Sequence, residues 1–317
     1  MRILRGLGAA VVAAAAMTLP GAGQAAFPER DIAFIIPYSP GGGFDTYVRR
    51  IAPVMQRYLP NKVNVVPKNI VGTGGRRALA TLYREKPDGY AISIFNMPGM
   101  LLDKILGEKT AYDIDGFTWL GRLGSSKYAL TVSAKSGFAS VKGLKGKPLK
   151  YAITNWNSGS YVAGRIMAEA MGLDITFLPG YKGSSDVSLS MVRGDTHLSL
   201  FNSVSAGKWA EGGDLKNILS LEPKSPWPGV STAKEVGHPE LEVLTVDRYV
   251  GGPPGMKSDV AKTLSDALLK ALADKEIQDW AKKTGSSIDP LSGPKAAKEL
   301  GKLAKFYGKY KEPLAKR

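Results

Sequence analysis

The sequence DIAFIIPYSPGGGFDTYVRR, from Asp31 to Arg50, joins an apolar run, three glycines and the start of a helical pattern. The apolar run, Ile32–Ile36, is typical of a buried strand. Glycine lets the backbone approach a ligand closely, and the first amides of a helix have no partner within it. We therefore interpret the glycine turn, Tyr38–Thr46, as half of a site for a small carboxylate. The alternative is a tight turn between strand and helix that binds nothing.

The candidate ligand-binding residues of the glycine turn are those whose backbone or side chain would face an anion. They are Tyr38, Ser39, Gly41, Gly42, Gly43, Asp45 and Thr46. Asp45 stands in the first turn of the predicted helix, where an aspartate usually caps the helix or binds loop amides. A role for Asp45 as a general base would need a partner that the sequence does not identify.

The order of strand, small-residue turn and helix recurs along the chain. In the first half, strands are predicted over residues 62–66 and 90–95, with a second glycine turn, Gly72–Gly75, between them. In the second half, strands are predicted over residues 150–154, 174–178 and 198–201. Alternating strands and helices indicate parallel sheets, in which ligands bind beyond the carboxyl ends of the strands. The pattern predicts an α/β protein with two lobes, each a sheet flanked by helices, and a ligand cleft between the lobes.

Two local signals concern the ends of helices. Pro53 lies within the helical pattern that follows Gly43, so a kink or a new start is expected there unless Pro53 stands in a first turn. Ser258 is predicted to cap the first of the C-terminal helices, because serine is among the residues preferred at that position.

The first 26 residues have the pattern of a secretory signal peptide. Arg2 and Arg5 precede an Ala- and Val-rich run, Leu7–Leu19, and small residues at positions 22–26 offer a cleavage site. The apolar run is shorter than the roughly 20 residues that a membrane span needs, which disfavours a retained anchor. The chain has no cysteine, so neither a disulfide framework nor a lipid-bearing cysteine is expected. We expect the mature protein in the periplasm.

The formal net charge of +15 makes nucleic acid a candidate partner. Many lysines, however, lie between Lys282 and Lys316 at spacings typical of a solvated helix face. The predicted export also separates the protein from the chromosome. We therefore expect a solvated basic surface, which attracts anionic ligands, and no nucleic-acid partner.

Neither a cofactor nor a metal site is predicted. The two histidines, His197 and His238, have no His, Asp or Glu cluster at metal-ligand spacing. The glycine turn lacks the Gly-Lys-Ser/Thr of a nucleotide-binding loop and the spacing of the dinucleotide fingerprint. The sequence also contains no Gly-x-Ser-x-Gly nucleophile elbow.

Two first-half motifs form a specific combination. The segment Ile35–Asp45 reads as an apolar strand, Pro, an aromatic, a small residue, Pro-Gly-Gly, two variable positions and Asp. The segment Gly72–Tyr90 begins with Gly-Thr-Gly-Gly and ends with Pro-Asp-Gly-Tyr. Together they resemble the motifs of the tripartite tricarboxylate transporter substrate-binding proteins, also called the Bug family. In the second half, Tyr151-Ala152, Ala163-Gly164 and Tyr181-Lys182-Gly183 stand at matching offsets.

The resemblance implies a periplasmic solute-binding protein with a type II-like two-lobe fold, which closes at a hinge over a small organic acid. That acid would be a mono- or dicarboxylate, aromatic acids included, and the receptor would deliver it to a membrane permease or to a sensor protein. The resemblance further implies a monomer without enzymatic activity. It places lobe 1 at residues 27–127 and 251–317, with the C-terminal helices returning to it, and lobe 2 at residues 128–250.

The resemblance also implies ligand contacts at the ends of later strands and in the turn that opens the second lobe. These residues are Asn96, Thr154, Asn155, Trp156, Ser158, Gly159, Ser160, Tyr161, Tyr181 and Asn202.

The second-lobe turn, Thr154–Tyr161, departs from the family pattern of Ser-Gly-Asn-Gly-Ser followed four residues later by His. Asn155 and Asn157 replace the two glycines, and Tyr161 stands at the His position. Trp156 and Tyr161 are expected to change the shape of the pocket, either by stacking on an aromatic acid or by packing against the opposite lobe. The family's frequent Phe-Asp-Asn reads Leu200-Phe201-Asn202 here, so an amine-bearing ligand would lose a carboxylate partner.

Arg76 and Arg77 replace smaller residues at the second glycine turn. They either meet a second carboxylate of the ligand or lie on the surface.

The functional alternatives to a receptor are a secreted α/β enzyme acting on a small carboxylate in the same cleft and a basic protein that binds polyanions. The enzyme is disfavoured because the sequence identifies no set of nucleophile, base and orienting group.

Overall fold

The computed structural model describes residues 27–316, so the predicted signal peptide, residues 1–26, lies outside the described residues. The strands of the described chain run over Ile32–Ile36 (β1), Val65–Asn69 (β2), Ala91–Met97 (β3), Thr118–Ser133 (β4), Leu149–Ala152 (β5), Ile175–Leu178 (β6), Leu198–Asn202 (β7), Leu215–Ser220 (β8), Thr245–Gly252 (β9) and Leu291–Ser292 (β10). The α-helices run over Gly43–Met55 (α1), Arg76–Tyr83 (α2), Leu102–Leu106 (α3), Gly159–Met171 (α4), Ser184–Arg193 (α5), Ser203–Ala210 (α6), Ser258–Ala273 (α7), Lys275–Thr284 (α8), Gly293–Gly308 (α9) and Lys311–Ala315 (α10).

The strand β4 belongs to both halves of the sheet. Its residues 118–127 pair with β9, and its residues 128–133 pair with β7 and β8. The first half has the order β2-β1-β3-β9-β4, in which β1 is parallel to both of its neighbours and β9 is antiparallel to β3 and β4. The second half has the order β4-β7-β5-β6, in which β5 is parallel to both of its neighbours. The predicted α/β class with two lobes is confirmed, and the two lobes share one continuous strand.

Each lobe has its own apolar core beside its sheet. In lobe 1, α1 and α7 pack together on one face, where Ile51 and Leu264 are fully buried. In lobe 2, α4 packs on the sheet through Val162 and Met167, which are also fully buried. These residues lie on the helix faces that the 3–4 spacing of apolar residues predicts.

The structure corrects three predicted boundaries. The second strand begins three residues later than predicted, and Pro67 lies inside it because β2 is an edge strand that pairs only with β1. Pro53 stands near the end of α1, which stops at Met55 and continues as a single 3₁₀ turn. Ser258 is the first residue of α7 and does not cap it, since Lys257 holds the cap position.

The C-terminal helices divide between the lobes. The core of lobe 1 contains Leu264 of α7 and Ile277 of α8. The short helix α10 instead packs against α4, and its Leu314 is fully buried in the core of lobe 2. The hydroxyl of Tyr161 in α4 donates a hydrogen bond to the backbone oxygen of Leu314 at 3.1 Å. The end of the chain therefore returns to lobe 2, whereas the resemblance implies that the C-terminal helices return to lobe 1.

The sequence patterns did not predict β8 or α6, whose segments are short and carry no clear periodicity. Both lie in lobe 2, where β8 pairs with β4 and α6 packs beside them.

Among residues 27–316, none of the helices combines the length and the apolar character that crossing a bilayer requires.

Candidate ligand-binding site

A cavity of about 80 Å³ lies between the two lobes, at the carboxyl ends of β1, β3, β5 and β7. Its volume is several times the roughly 10–15 Å³ that one water needs on this scale, so it suits a small molecule. We call it the central cavity. Its lining residues are Tyr38, Gly42, Gly43, Phe44, Asn96, Tyr128, Thr154, Ser158, Ser160, Ser184, Val187, Ser199, Leu200, Phe201, Asn202 and Val246.

Four helices begin at the central cavity. Gly43 starts α1, Ser158 precedes α4, Ser184 starts α5 and Asn202 precedes α6. The first amides of a helix have no partner within it, and together they carry roughly half an elementary positive charge. None of the residues that line the central cavity has a charged side chain. The backbone dipoles of these helix starts therefore contribute a positive field in the cavity, as in other sites that bind anions at helix N-termini.

Three polar side-chain atoms at the cavity wall are buried without a hydrogen-bond partner. They are Oδ1 of Asn96, the hydroxyl of Tyr128 and Oγ1 of Thr154. Buried polar groups in folded proteins are nearly always hydrogen-bonded, so these atoms fit a ligand that contacts them. The two hydroxyls can donate to a carboxylate, and the oxygen of Asn96 can accept a bond from a ligand donor.

The phenols at the cavity are neutral donors. Asn96 Nδ2 donates to the hydroxyl of Tyr38 at 2.9 Å, which fixes both side chains at the end of β3. Burial raises the pKa of Tyr38 and of Tyr128 well above the ordinary tyrosine value. Both hydroxyls therefore keep their protons at neutral pH.

Asp45 shapes the glycine turn from behind. Its Oδ2 accepts a hydrogen bond from the backbone N–H of Gly41 at 2.9 Å, and its Oδ1 accepts one from Asn69 Nδ2 at 2.9 Å. Although burial opposes it, the bonds from Asn69 and Gly41 and the charge of Arg49 lower the pKa of Asp45. Gly41 has a φ of 81°, a conformation that favours glycine. The aspartate therefore holds the turn in shape and does not line the central cavity.

Half of the predicted first-lobe residues line the central cavity, namely Tyr38, Gly42, Gly43 and Asn96. The backbone N–H of Ser39 instead donates to the backbone oxygen of Lys182 at 3.4 Å, a contact between the lobes. The hydroxyl of the exposed Thr46 donates to the backbone oxygen of Gly42 at 3.1 Å. Ser39, Gly41, Asp45 and Thr46 thus support the glycine turn from outside the cavity.

Four predicted second-lobe residues line the central cavity, namely Thr154, Ser158, Ser160 and Asn202. Ser158 also caps α4, because its Oγ accepts a hydrogen bond from the backbone N–H of Tyr161 at 3.2 Å. The side chains of Asn155 and Tyr181 lie at a separate pocket beside Gly74.

The structure corrects the positions expected for Trp156 and Tyr161. Tyr161 is fully buried between α4 and α10, and its hydroxyl bonds to the backbone oxygens of Leu314 and Lys316. Trp156 packs edge to face on the Tyr161 ring, with 5.2 Å between the ring centroids. Tyr161 belongs to the core of lobe 2, the half-buried Trp156 packs against that core, and neither ring lines the central cavity. The departure from the family pattern at these two positions therefore does not reshape the central cavity.

The lobes meet through glycines, so the structure is a closed form. A Cβ atom at Gly99 would lie 2.3 Å from the backbone nitrogen of Gly159. A Cβ atom at Gly74 would lie 2.3 Å from the Cβ of Asn155. Gly159 faces the unpartnered groups of the cavity, because a Cβ there would lie 2.6 Å from the Tyr128 hydroxyl. The lobes are therefore in direct contact at Gly99 and at Gly74.

Half of the cavity lining was not predicted from the sequence. Those residues are Phe44, Tyr128, Ser184, Val187, Ser199, Leu200, Phe201 and Val246. Ser184 had a usable signal, since it follows a small-residue turn and begins a helix, as Gly43 does. The sequence carries no such signal for Tyr128 and Val246. They lie within the strands that connect the lobes, and only the pairing of β4 brings them to the cavity.

The remaining candidate groups lie outside the central cavity. Arg76 forms ion pairs with Asp103 and with Glu108, where Nη2 lies 2.8 Å from Oε2. Arg77 is exposed. His197 Nδ1 accepts a hydrogen bond from the backbone N–H of Lys150 at 3.1 Å. Within residues 27–316, the His, Cys, Asp and Glu side chains form no group of three or more that could hold a metal ion.

The two α/β lobes and the cavity between them define the class of the periplasmic binding proteins. Within that class, residues 47–304 match the model of the tripartite tricarboxylate transporter family receptor, so the chain belongs to this family. The resemblance drawn from the two glycine motifs is thereby confirmed.

Relatives and solved structures agree with this assignment. The UPF0065 protein in the tcbD-tcbE intergenic region of Pseudomonas sp. (strain P51) is 26% identical over 273 residues, which span 82% of this chain and 79% of that protein. The structure of the periplasmic binding protein BugD matches with a TM-score of 0.82 and 21% identity, covering 91% of this chain and 98% of that chain. MatC from Rhodopseudomonas palustris, solved with bound malate, matches with a TM-score of 0.80 and 20% identity, covering 91% of this chain and 100% of that chain. The two structural matches show the common fold.

Proposed function

We propose that this protein is a receptor that captures a small organic acid in the central cavity and delivers it to a membrane permease of a tripartite tricarboxylate transporter. The observation that carries the proposal is the convergence of four helix N-termini on a cavity between the lobes whose lining has no charged side chain. Such a cavity favours an anion and offers nothing that repels one.

The ligand class follows from the cavity wall. The carboxylate of the ligand accepts hydrogen bonds from the amides at Gly43 and Ser160 and from the hydroxyls of Tyr128 and Thr154. The apolar lining residues, such as Phe44 and Val187, contact the rest of the acid. The volume favours a short mono- or dicarboxylate or a single aromatic acid. MatC, which shares the fold, holds malate, so small dicarboxylates belong among the first acids to test.

Capture proceeds by closure of lobe 1, residues 27–127 and 251–310, onto lobe 2, residues 128–250 together with α10. The contacts of Gly99 with Gly159 and of Ser39 with Lys182 form in the closed state and seal the ligand from solvent. Opening bends the strands β4 and β9, which connect the lobes.

Transport without catalysis is part of the proposal. The polar lining groups are amides and hydroxyls, and the two phenols at the cavity have raised pKa values, so neither serves as a base near neutral pH. The protein acts in the periplasm as a monomer, after an N-terminal signal peptide directs its export.

A thermal-shift screen tests the proposal. Mono- and dicarboxylates, aromatic acids and amino acids are added to the mature protein, with a DNA oligonucleotide as the polyanion. A true ligand stabilises the folded state by about 2.7 kcal/mol at a hundredfold excess over Kd. We expect at least one acid to raise the melting temperature and the oligonucleotide to leave it unchanged. A shift with the oligonucleotide and with none of the acids would exclude the receptor.

A matched pair of variants locates the binding in the central cavity. Ser160→Leu fills the cavity and should abolish the shift with the acid that stabilises the wild type. Ser258→Leu makes the same change at an exposed position of α7 and should keep the shift. If the Ser160→Leu protein still folds and binds the acid with unchanged affinity, the ligand lies elsewhere.

A further inference from the structure

Arg248 is a fully buried arginine on β9. Its Nη1 donates to Ser126 Oγ at 2.9 Å, and its Nε has no hydrogen-bond partner. Its guanidinium carbon lies 4.2 Å from the ring centroid of Tyr47 and 5.5 Å from that of Phe44. Arginine stays charged in folded proteins, so this is a positive charge removed from water.

Within residues 27–316, Arg248 takes part in none of the ion pairs, so no carboxylate is in direct contact with its charge. The adjacent acid, Asp247, points to the opposite face of β9, because successive residues of a strand alternate. Asp247 accepts a hydrogen bond from Thr245 Oγ1 at 3.0 Å. Burial raises the pKa of Asp247, while its hydrogen bonds and the charges of Arg122 and Arg248 oppose that rise. Ring faces stabilise the guanidinium only in part, since a buried charge normally needs an anion.

The guanidinium lies directly behind the wall of the central cavity. A Cβ atom added to Gly43 would lie 4.0 Å from Nη2 of Arg248 and 3.2 Å from Nδ2 of Asn202. Gly43 and Asn202 both line the cavity, and Phe44, which stacks near the guanidinium, lines it as well. The charge of Arg248 and the helix start at Gly43 therefore act on the same end of the cavity.

We propose that Arg248 supplies the fixed positive charge that holds the carboxylate of the ligand at the Gly43 end of the central cavity. This inference rests on the proposed function. It further identifies the end of the cavity that binds the carboxylate and the residue that selects for its negative charge. Arg248 is a positioning residue, because it acts through the wall formed by Gly43 and Asn202. A ligand without a negative charge gains nothing from it.

The test compares an acid with its neutral amide. Acetate and acetamide are titrated at constant ionic strength into the wild type and into Arg248→Met, and stabilisation is followed by melting temperature and calorimetry. Removing the charge should weaken acetate binding by about tenfold to a hundredfold, as expected for charges several ångströms apart at an effective dielectric constant near 20. Acetamide binding should change little, so the preference for the acid is what Arg248→Met loses.

A purely structural role for Arg248 would give a different result. Arg248→Met would then weaken acetate and acetamide alike, or would leave the preference for acetate intact, and either outcome overturns the proposal. A wild type that prefers acetate no more than acetamide, while other acids stabilise it in the screen, would overturn it too. If no acid at all stabilises the wild type, the proposed function itself fails.

Further variants control for folding and for net charge. Arg248→Lys keeps the charge and should keep the preference for acetate. Arg248→Gln is neutral and can still bond to Ser126, so it replaces Arg248→Met if that variant does not fold. Arg122→Met removes an arginine of β4 that pairs with Asp289 and should leave the preference unchanged.

Discussion

At the scale of single residues, the glycine turn depends on a side chain that does not face the ligand. Asp45 binds the amide of Gly41, the amide group of Asn69 and the guanidinium of Arg49, with one carboxylate satisfying three donors. Only an ionised carboxylate accepts all of these bonds. The conformation of the glycine turn is thus linked to the protonation state of Asp45.

Asp45→Asn should therefore change how stability depends on pH. The folded protein lowers the pKa of Asp45 below its ordinary value of 3.8, so the carboxylate adds stability above that pH and loses it as pH falls further. We expect Asp45→Asn to cost about 1–3 kcal/mol of unfolding free energy at pH 7, because buried donors lose their acceptor.

Urea unfolding of both proteins between pH 7 and pH 3 measures this effect. The difference in unfolding free energy should be constant from pH 7 to about pH 5 and should shrink as pH falls below about 4. A difference that stays constant down to pH 3 would show that the charge of Asp45 contributes nothing.

At the scale of elements, the lobes close where a helix start meets a 3₁₀ turn. The turn Gly99–Leu101 follows β3, and Gly99 packs against the backbone at the start of α4. Both sides of this contact are main chain, so no side-chain rotation can make room for an added atom. The α4 start also presents Ser158 and Ser160 to the cavity, which ties this contact to the ligand site.

Gly99→Ala should therefore block full closure without unfolding either lobe. A Cβ at position 99 would lie 2.3 Å from the nitrogen of Gly159, and overpacking of this kind costs about 1–3 kcal/mol, or roughly fivefold to a hundredfold in affinity. Isothermal titration with an acid from the screen measures the loss. Gly301→Ala, in an open stretch of α9, is the control and should bind like the wild type.

At the scale of the whole molecule, closure changes the shape of the protein. We expect the ligand-free protein in solution to have a larger radius of gyration than the closed structure. Saturation with an acid from the screen should lower that radius, and small-angle X-ray scattering measures both values. Equal radii with and without a saturating acid would mean that capture does not involve movement of the lobes.

How far the sequence predicts the fold and the site depends on how far apart along the chain the interacting residues lie. The glycine turn, the start of α4 and the order of strands and helices were predictable, because glycines, caps and apolar periodicity act within a few residues. Tyr128, Val246 and Arg248 were not, since long-range strand pairing brings them to the cavity. Tyr161 was misplaced for a related reason: its partner, Leu314, lies at the far end of the chain.

Apart from α10, the core of lobe 2 is built mainly from the segment of chain between β4 and β9, so this segment could be exchanged between relatives. A chimeric receptor could take residues 128–250 from a family member with another specificity and keep the rest of this scaffold. The graft would have to bring its own α10 as well, because Leu314 and the carbonyl groups that Tyr161 holds belong to the same core. Arg248 would travel with the donor segment, so the chimera would also inherit the donor's residue at the charge-selecting position.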